Sequence, residues 1–194
     1  MKKSFFIAIM ISAAFALSCN KKAGDNQTTD NTETAEQTQE QEPQKTQEQK
    51  SQQANAKIEV GEMAPDFTLN DLDGKPLSLS SLRGKHVVID FWGTWCIYCV
   101  LGMPEMKNYY DKYSDKLEIL SVDCGDAPED WKNAVKDIGM NWKNVINDEK
   151  NDISELYKVE GFPTKIVLDP KGKILKVVVG EDPAFYEYLD SLFK

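Results

Sequence analysis

Cys96 and Cys99 stand three residues apart in Trp95-Cys96-Ile97-Tyr98-Cys99, separated only by Gly93-Thr94 from the apolar run Val87-Val88-Ile89-Asp90-Phe91-Trp92. At a strand-to-helix junction, two thiols so spaced can open and close a disulfide between themselves. The first sulfur would sit where unsatisfied helix N–H groups and the positive end of the helix dipole favour its thiolate, lowering its pKa below the free value of about 8.5. Cys96 is therefore expected to be the exposed nucleophile. Cys99, one turn further in on the same face, is expected to be more buried and to resolve any mixed disulfide formed on Cys96. The competing use of such a pair is half of a zinc site, for which the domain from Ile58 onward offers only Cys124 and the lone His86 as further cysteine or histidine ligands. Thiol-disulfide exchange itself calls for no metal and no cofactor.

Other residues bear on that chemistry. Asp90 lies six residues before Cys96 inside the apolar run. A carboxyl there is costly to ionise, so its pKa should rise into the range where it can accept or return the proton of Cys99. The alternation of strand faces leaves a second reading, an aspartate pointing at water. Trp95, next to the first sulfur, is read as a cover for the disulfide that touches substrate, and Trp92 as core. Cys124 follows Ser121-Val122-Asp123 and reads as a sequestered thiol near a strand end.

The elements that must position these residues are legible from Ile58 onward. Phe67-Thr68-Leu69 and Leu77-Ser78-Leu79 alternate around Asp73-Gly74, as a hairpin does. The run from Val87 to Trp92 suits a strand buried on both faces. A helix should start near Cys96 and reach Tyr113, presenting Met103, Met106, Tyr110 and Tyr113 on one face, with Pro104 kinking it. A strand over 117–122 and a helix opening at Pro128 follow. Strands over 165–168 and 174–179 flank the turn Asp169-Pro170-Lys171-Gly172, and a last helix runs from Pro183 to Phe193. This order implies an α/β fold with a mixed central sheet flanked by helices and extended by an N-terminal β-hairpin.

Residues 1–18 have the make-up of an export signal: Lys2-Lys3, an apolar stretch, then Ala16-Leu17-Ser18 before Cys19. The last four resemble a bacterial lipoprotein processing box, which implies lipidation of Cys19 and attachment to a membrane of the cell envelope. Residues 19–57, rich in Gln, Glu, Asn and Thr, contain no aromatic residue. They are expected to form a disordered tether reaching roughly 35 Å from the bilayer. The formal charge is -9, and loss of Lys2 and Lys3 leaves -11 for the exported part. Such an acidic chain is a poor partner for nucleic acid or, without a lipid, for an anionic membrane.

Phe91-Trp92-Gly93-Thr94-Trp95-Cys96-Ile97-Tyr98-Cys99, Met103-Pro104-Glu105, Gly161-Phe162-Pro163-Thr164 and the leader Ala64-Pro65-Asp66-Phe67-Thr68-Leu69 together resemble the TlpA/ResA branch of the thioredoxin superfamily. The resemblance spans residues 58–194 and implies a thioredoxin-like fold and a thiol-disulfide oxidoreductase. It further implies that Phe162-Pro163 is a cis peptide bond beside the disulfide, where Phe162 backbone groups can pair with an extended substrate. Asp90 matches the buried acid of thioredoxin, at a place where many TlpA/ResA proteins carry Asn. Exported proteins with disulfides or thiols are the implied partners, among them apocytochrome c, with a membrane thiol carrier as electron donor.

Two departures stand out. Ile97-Tyr98 lacks the proline that relatives often carry before the second cysteine, and Val100-Leu101-Gly102 lacks the basic and acidic residues common there in ResA-type proteins. An apolar rim without histidine gives Cys96 little added thiolate stabilisation. A reductant or weak oxidant is expected, between roughly -270 and -180 mV. The alternatives are a peroxiredoxin-like thiol peroxidase, which the Ala64–Leu69 leader also suits, and a tethered binding module with a structural disulfide.

Overall fold

The computed structural model describes residues 57–194 apart from 149 and 151. The expected export signal, the lipidated Cys19 and all but Lys57 of the expected tether lie outside the described residues. Seven strands, β1 (Thr68–Asp71), β2 (Pro76–Ser78), β3 (His86–Trp92), β4 (Leu117–Asp123), β5 (Lys143–Ile146), β6 (Thr164–Leu168) and β7 (Ile174–Val179), form one sheet in the order β2-β1-β5-β4-β3-β6-β7. Its centre is β3 (His86–Trp92), whose apolar run is buried from Val87 onward. β3 pairs in parallel with β4 (Leu117–Asp123) and antiparallel with β6 (Thr164–Leu168). Both neighbours are buried along their whole length, the polar Glu118, Ser121, Asp123, Thr164 and Lys165 included.

Successive side chains of β3 face opposite layers. Val88 and Trp92 enter one core with residues of α1 (Ile97–Tyr113), α2 (Pro128–Ile138) and α4 (Pro183–Phe193). Val87, Ile89 and Phe91 enter the other, with Phe67, Leu69, Leu79, Ile153 and Tyr157. By that parity Asp90 shares the α1 face with Val88 and Trp92. The sheet is thus mixed and covered on both sides, as the element order implies.

Each helix start has a local cause. Cys96 is the N-cap of α1 in an extended conformation. α2 opens on Pro128, whose missing N–H costs nothing there, carries Glu129 and Asp130 in its first turn and stops at Gly139 with φ 75°. Asp182 caps α4 by accepting from the Ala184 N–H at 2.9 Å. Pro104 lies inside α1, and the helix continues through it to Tyr113.

The N-terminal hairpin joins β1 (Thr68–Asp71) to β2 (Pro76–Ser78), a shift of about one to two residues from the sequence expectation. Leu79 leaves the strand to open a 3-10 turn, Leu79–Leu82. Sequence reasoning missed β5 (Lys143–Ile146), which ties the hairpin to β4, and the short α3 (Ile153–Leu156). β5 has a buried asparagine where periodicity looks for an apolar residue. The Asn144 amide is held by donating to the Trp142 carbonyl at 2.9 Å. β7 (Ile174–Val179) closes the far edge against β6. Among the described residues no helix is long and apolar enough to cross a membrane.

Candidate active site

Cys96 and Cys99 form a disulfide across one turn at the start of α1, with Cα atoms 5.2 Å apart. The Cys99 N–H donates to Cys96 Sγ at 3.2 Å. α1 has no acidic side chain in its first turn, so nothing there opposes the dipole at Cys96. The order of exposure is as expected, 7 % for Cys96 against 2 % for Cys99, but Cys96 is not the open sulfur that the sequence suggested. In the disulfide state both cysteines belong to the core that α1 shares with Trp92 and Met103.

Trp95 is 56 % exposed, whereas Trp92 is wholly buried. The Trp95 ring lies edge-on to Phe162 with centroids 5.0 Å apart, and its Nε1 donates to the Cys124 carbonyl at 3.0 Å. This pose depends on Gly93, where an added Cβ would fall 2.4 Å from Trp95 Nε1. The Phe162-Pro163 bond is cis, Pro163 is buried and Phe162 half-buried. Trp95 and Phe162 therefore form one aromatic ledge built from the α1 entry and the cis-proline loop. Ile97, Tyr98 and Leu101, each about two-thirds exposed, give the first turn of α1 its apolar outer face.

Asp90 is buried on the α1 face of β3, in register with Ser121 of β4 and Lys165 of β6. The Ser121 hydroxyl donates to Asp90 Oδ2 at 3.4 Å and accepts from Trp142 Nε1 at 2.8 Å, while Asp90 Oδ1 has no hydrogen-bond partner. Burial pushes the Asp90 carboxyl up to about 6; the Lys165 charge and the Ser121 hydrogen bond work against the rise, and Glu181 adds to it. The water-facing reading of Asp90 is thereby excluded.

A second carboxyl group near the motif was not singled out from sequence. Asp126 accepts from the Thr94 N–H at 2.7 Å and from the Thr94 hydroxyl at 2.6 Å, fixing the residue before Trp95. The Asp126 N–H donates to Asp123 Oδ1 at 3.2 Å. Burial, then the neighbouring Asp126 carboxyl, pushes Asp123 up to about 8. Two aspartates flanking Cys124-Gly125 after an apolar strand were the available signal. Lys165 and Glu181 were also missed. They pair at 2.6 Å, with the lysine 2 % exposed.

Cys124 is free and buried just beyond β4, and burial pushes its thiol up to about 12, so it is held as the protonated, unreactive form. His86 sits at the opposite end of β3 from the disulfide, edge-on to Phe193. Among the described residues no three His, Cys, Asp or Glu side chains come together as a metal site.

The AhpC/TSA family model matches residues 60–177. The chain is 39% identical over 138 residues to the thiol-disulfide oxidoreductase ResA of Bacillus subtilis, covering 70% of this chain and 76% of that one. It is 37% identical over 126 residues to the ResA of Bacillus thuringiensis, covering 64% and 72%. Among solved structures, the thioredoxin domain of a Bacteroides vulgatus thiol-disulfide oxidoreductase superposes with a TM-score of 0.66 at 30% identity, over 71% of this chain and all of that domain. A thiol:disulfide interchange protein from Bacteroides sp. gives 0.64 at 30% identity, over 70% and 90%.

Proposed function

We propose, from the premise that this chain belongs to the AhpC/TSA family and is a thiol-disulfide oxidoreductase of the ResA type, that it reduces disulfides of exported proteins while tethered to a membrane through a lipid on Cys19. The observation that carries this reading is the Cys96–Cys99 disulfide at the N-terminus of α1, beside an exposed aromatic ledge. In the reduced enzyme the Cys96 thiolate attacks a client disulfide. A Cys96–client bond forms and one client sulfur leaves as thiolate. Cys99 then gives its proton to the Asp90 carboxylate and attacks Cys96 Sγ. The Cys96–Cys99 bond forms, the second client thiolate departs, and two electrons have passed to the client.

The Cys99 N–H that donates to Cys96 Sγ in the disulfide is in place to stabilise the departing or attacking thiolate at Cys96. Trp95 and Phe162 offer a client apolar contact, and the Phe162 backbone beside the cis bond offers strand-like pairing. Apocytochrome c, whose cysteines must be reduced before haem attachment, is the client the family resemblance favours. A membrane thiol carrier would return electrons to the pair.

Replacing Cys99 by Ala in the lipidated protein tests this reading. Cells should accumulate exported proteins disulfide-linked to Cys96, apocytochrome c among them. An empty trap, with Cys96 unreactive towards disulfides, would sink the proposal. Equilibration with glutathione should place the pair between roughly -270 and -180 mV, well below a strong oxidant such as DsbA.

A further inference from the structure

Lys165 has two carboxyl groups to choose between. It stands in register with Asp90 across the β3–β6 ladder, yet its Nζ bonds Glu181 Oε2 at 2.6 Å and leaves Asp90 Oδ1 without a hydrogen-bond partner. A buried ammonium needs a close counter-charge, and Glu181 supplies it from the loop between β7 and α4. That loop is clipped to the site, because the Gly180 N–H donates to the Pro163 carbonyl at 2.7 Å. The Tyr186 hydroxyl, from α4, donates to Glu181 Oε1 at 2.8 Å and lies 3.3 Å from the Gly102 carbonyl.

The carboxylate reaches this position only because α1 has a notch there. A Cβ on Gly102 would lie 2.5 Å from Glu181 Oε2 and 2.7 Å from its Cδ. Gly102 is buried and one turn beyond Cys99, on the face turned towards the sheet. Helix α1 carries no acidic side chain at this level of its buried face, and Glu181 brings one from another element.

We propose that Glu181 is a positioning residue of the dithiol site: seated in the Gly102 notch, its carboxylate anchors the Lys165 ammonium and fixes the charge that surrounds Asp90. This rests on the reading of Asp90 as acceptor of the Cys99 proton. If Lys165 were free to bond Asp90, the carboxylate would be held as an ion and would be a weaker base for Cys99. With Glu181 in place, Asp90 feels the ammonium without being bonded to it. The groups facing Asp90 are Lys165 from β6, Ser121 from β4, Cys124 beyond it, Glu181 from the β7–α4 loop and Tyr186 from α4. Lys165 and Glu181 are the oppositely charged pair among them.

Titration of the Asp90 carboxyl by carbon-13 NMR, assigned with Asp90→Asn, tests the proposal in the full folded domain. Glu181→Gln should lower the Asp90 midpoint by about one pH unit, a tenfold change in proton binding. Gly102→Ala should shift it in the same direction by displacing the Glu181 carboxylate, and the alanine suits a helix, so this variant decides the matter if Glu181→Gln does not fold. The double variant Lys165→Met with Glu181→Gln should return the midpoint to within a few tenths of a unit of the parent. An unmoved midpoint in the folded single variants, or a double variant displaced as far as Glu181→Gln, overturns the proposal. The acid limb of the Cys99 resolving rate should move with the carboxyl. A carboxyl that moves while the rate limb stays would reject the role of Asp90 and leave that of Glu181 standing.

Discussion

Trp95 Nε1 donates to the Cys124 carbonyl at 3.0 Å, so the aromatic ring next to the nucleophile is tied to the end of β4 and not free to swing. The tie makes the Trp95–Phe162 ledge a fixed surface. A client meeting it loses little side-chain entropy, which suits a site that must hold a client sulfur in line with Cys96.

Trp95→Ala should therefore weaken turnover of protein disulfides more than that of small ones. We expect kcat/KM for a protein client to fall about tenfold, roughly 1.4 kcal/mol of lost contact. The rate with dithiothreitol should fall less or rise, because the sulfur is uncovered. Trp95 is more than half exposed, so urea midpoints should move little. Equal losses with both substrates would show that Trp95 acts on the disulfide and not on the client.

Gly93→Ala should disturb the same ledge from beneath. The new Cβ would sit 2.4 Å from Trp95 Nε1, forcing the indole away from Cys124. The cost should be about 1 to 3 kcal/mol, from crowding at the new Cβ. The indole N–H resonance of Trp95 should move towards its free position, and client turnover should drop in parallel with Trp95→Ala. A variant with native stability and an unchanged indole signal would refute the packing argument.

The three central strands, the three longer helices and the disulfide pair were legible because each is written locally: strand-length stretches rich in branched apolar residues for β3, β4 and β6, a proline opening α2 and α4, a fixed cysteine spacing for the site. The polar row beneath the site was not. Ser121, Asp90 and Lys165 align only once three strands distant in sequence are set in register, and Glu181 meets Gly102 across 79 positions of chain. A lysine in an apolar strand looks like a solvated edge residue until its partner is placed. The exposure of Cys96 was overestimated for a related reason: the helix N-terminus argument speaks of charge and says nothing of the core that closes over the turn in the disulfide state.

Asp90→Asn should separate the two halves of the reaction. Formation of the mixed disulfide on Cys96 should be nearly unchanged, while its resolution by Cys99 should slow by about a hundredfold. In the parent the resolving rate should rise with pH through about 6, as the buried carboxyl loses its proton and becomes a base, and this limb should vanish in the variant. Stopped-flow mixing with a labelled disulfide distinguishes the steps. Slowing of the first step alone would reject Asp90 as the proton acceptor.

Stability should fall as pH rises from about 4 to about 8. Asp90 and Asp123 both have folded-state pKa values raised above the unfolded value, to about 6 and about 8, with burial the largest cause in each. Between the unfolded and folded values the native state holds a proton that the unfolded chain has released, so each pH step upward favours unfolding. The Asp90 contribution ends near pH 6 and that of Asp123 continues to about 8. Asp126 is shifted the other way: burial opposes ionisation, but hydrogen bonds from Asp123 and Thr94 outweigh it, and its effect falls below the ordinary carboxylate range. His86 works the other way, because burial lowers its pKa and the native state then holds less of its proton than the unfolded chain. The two raised aspartates outweigh this single imidazole, so urea midpoints of the disulfide form at pH 5, 6.5 and 8 should decline in order. Asp123→Asn should flatten the upper part of that decline, and Asp90→Asn the lower part. A midpoint that climbs between pH 5 and 8 in the parent would show that the buried carboxyls enter the fold as ions.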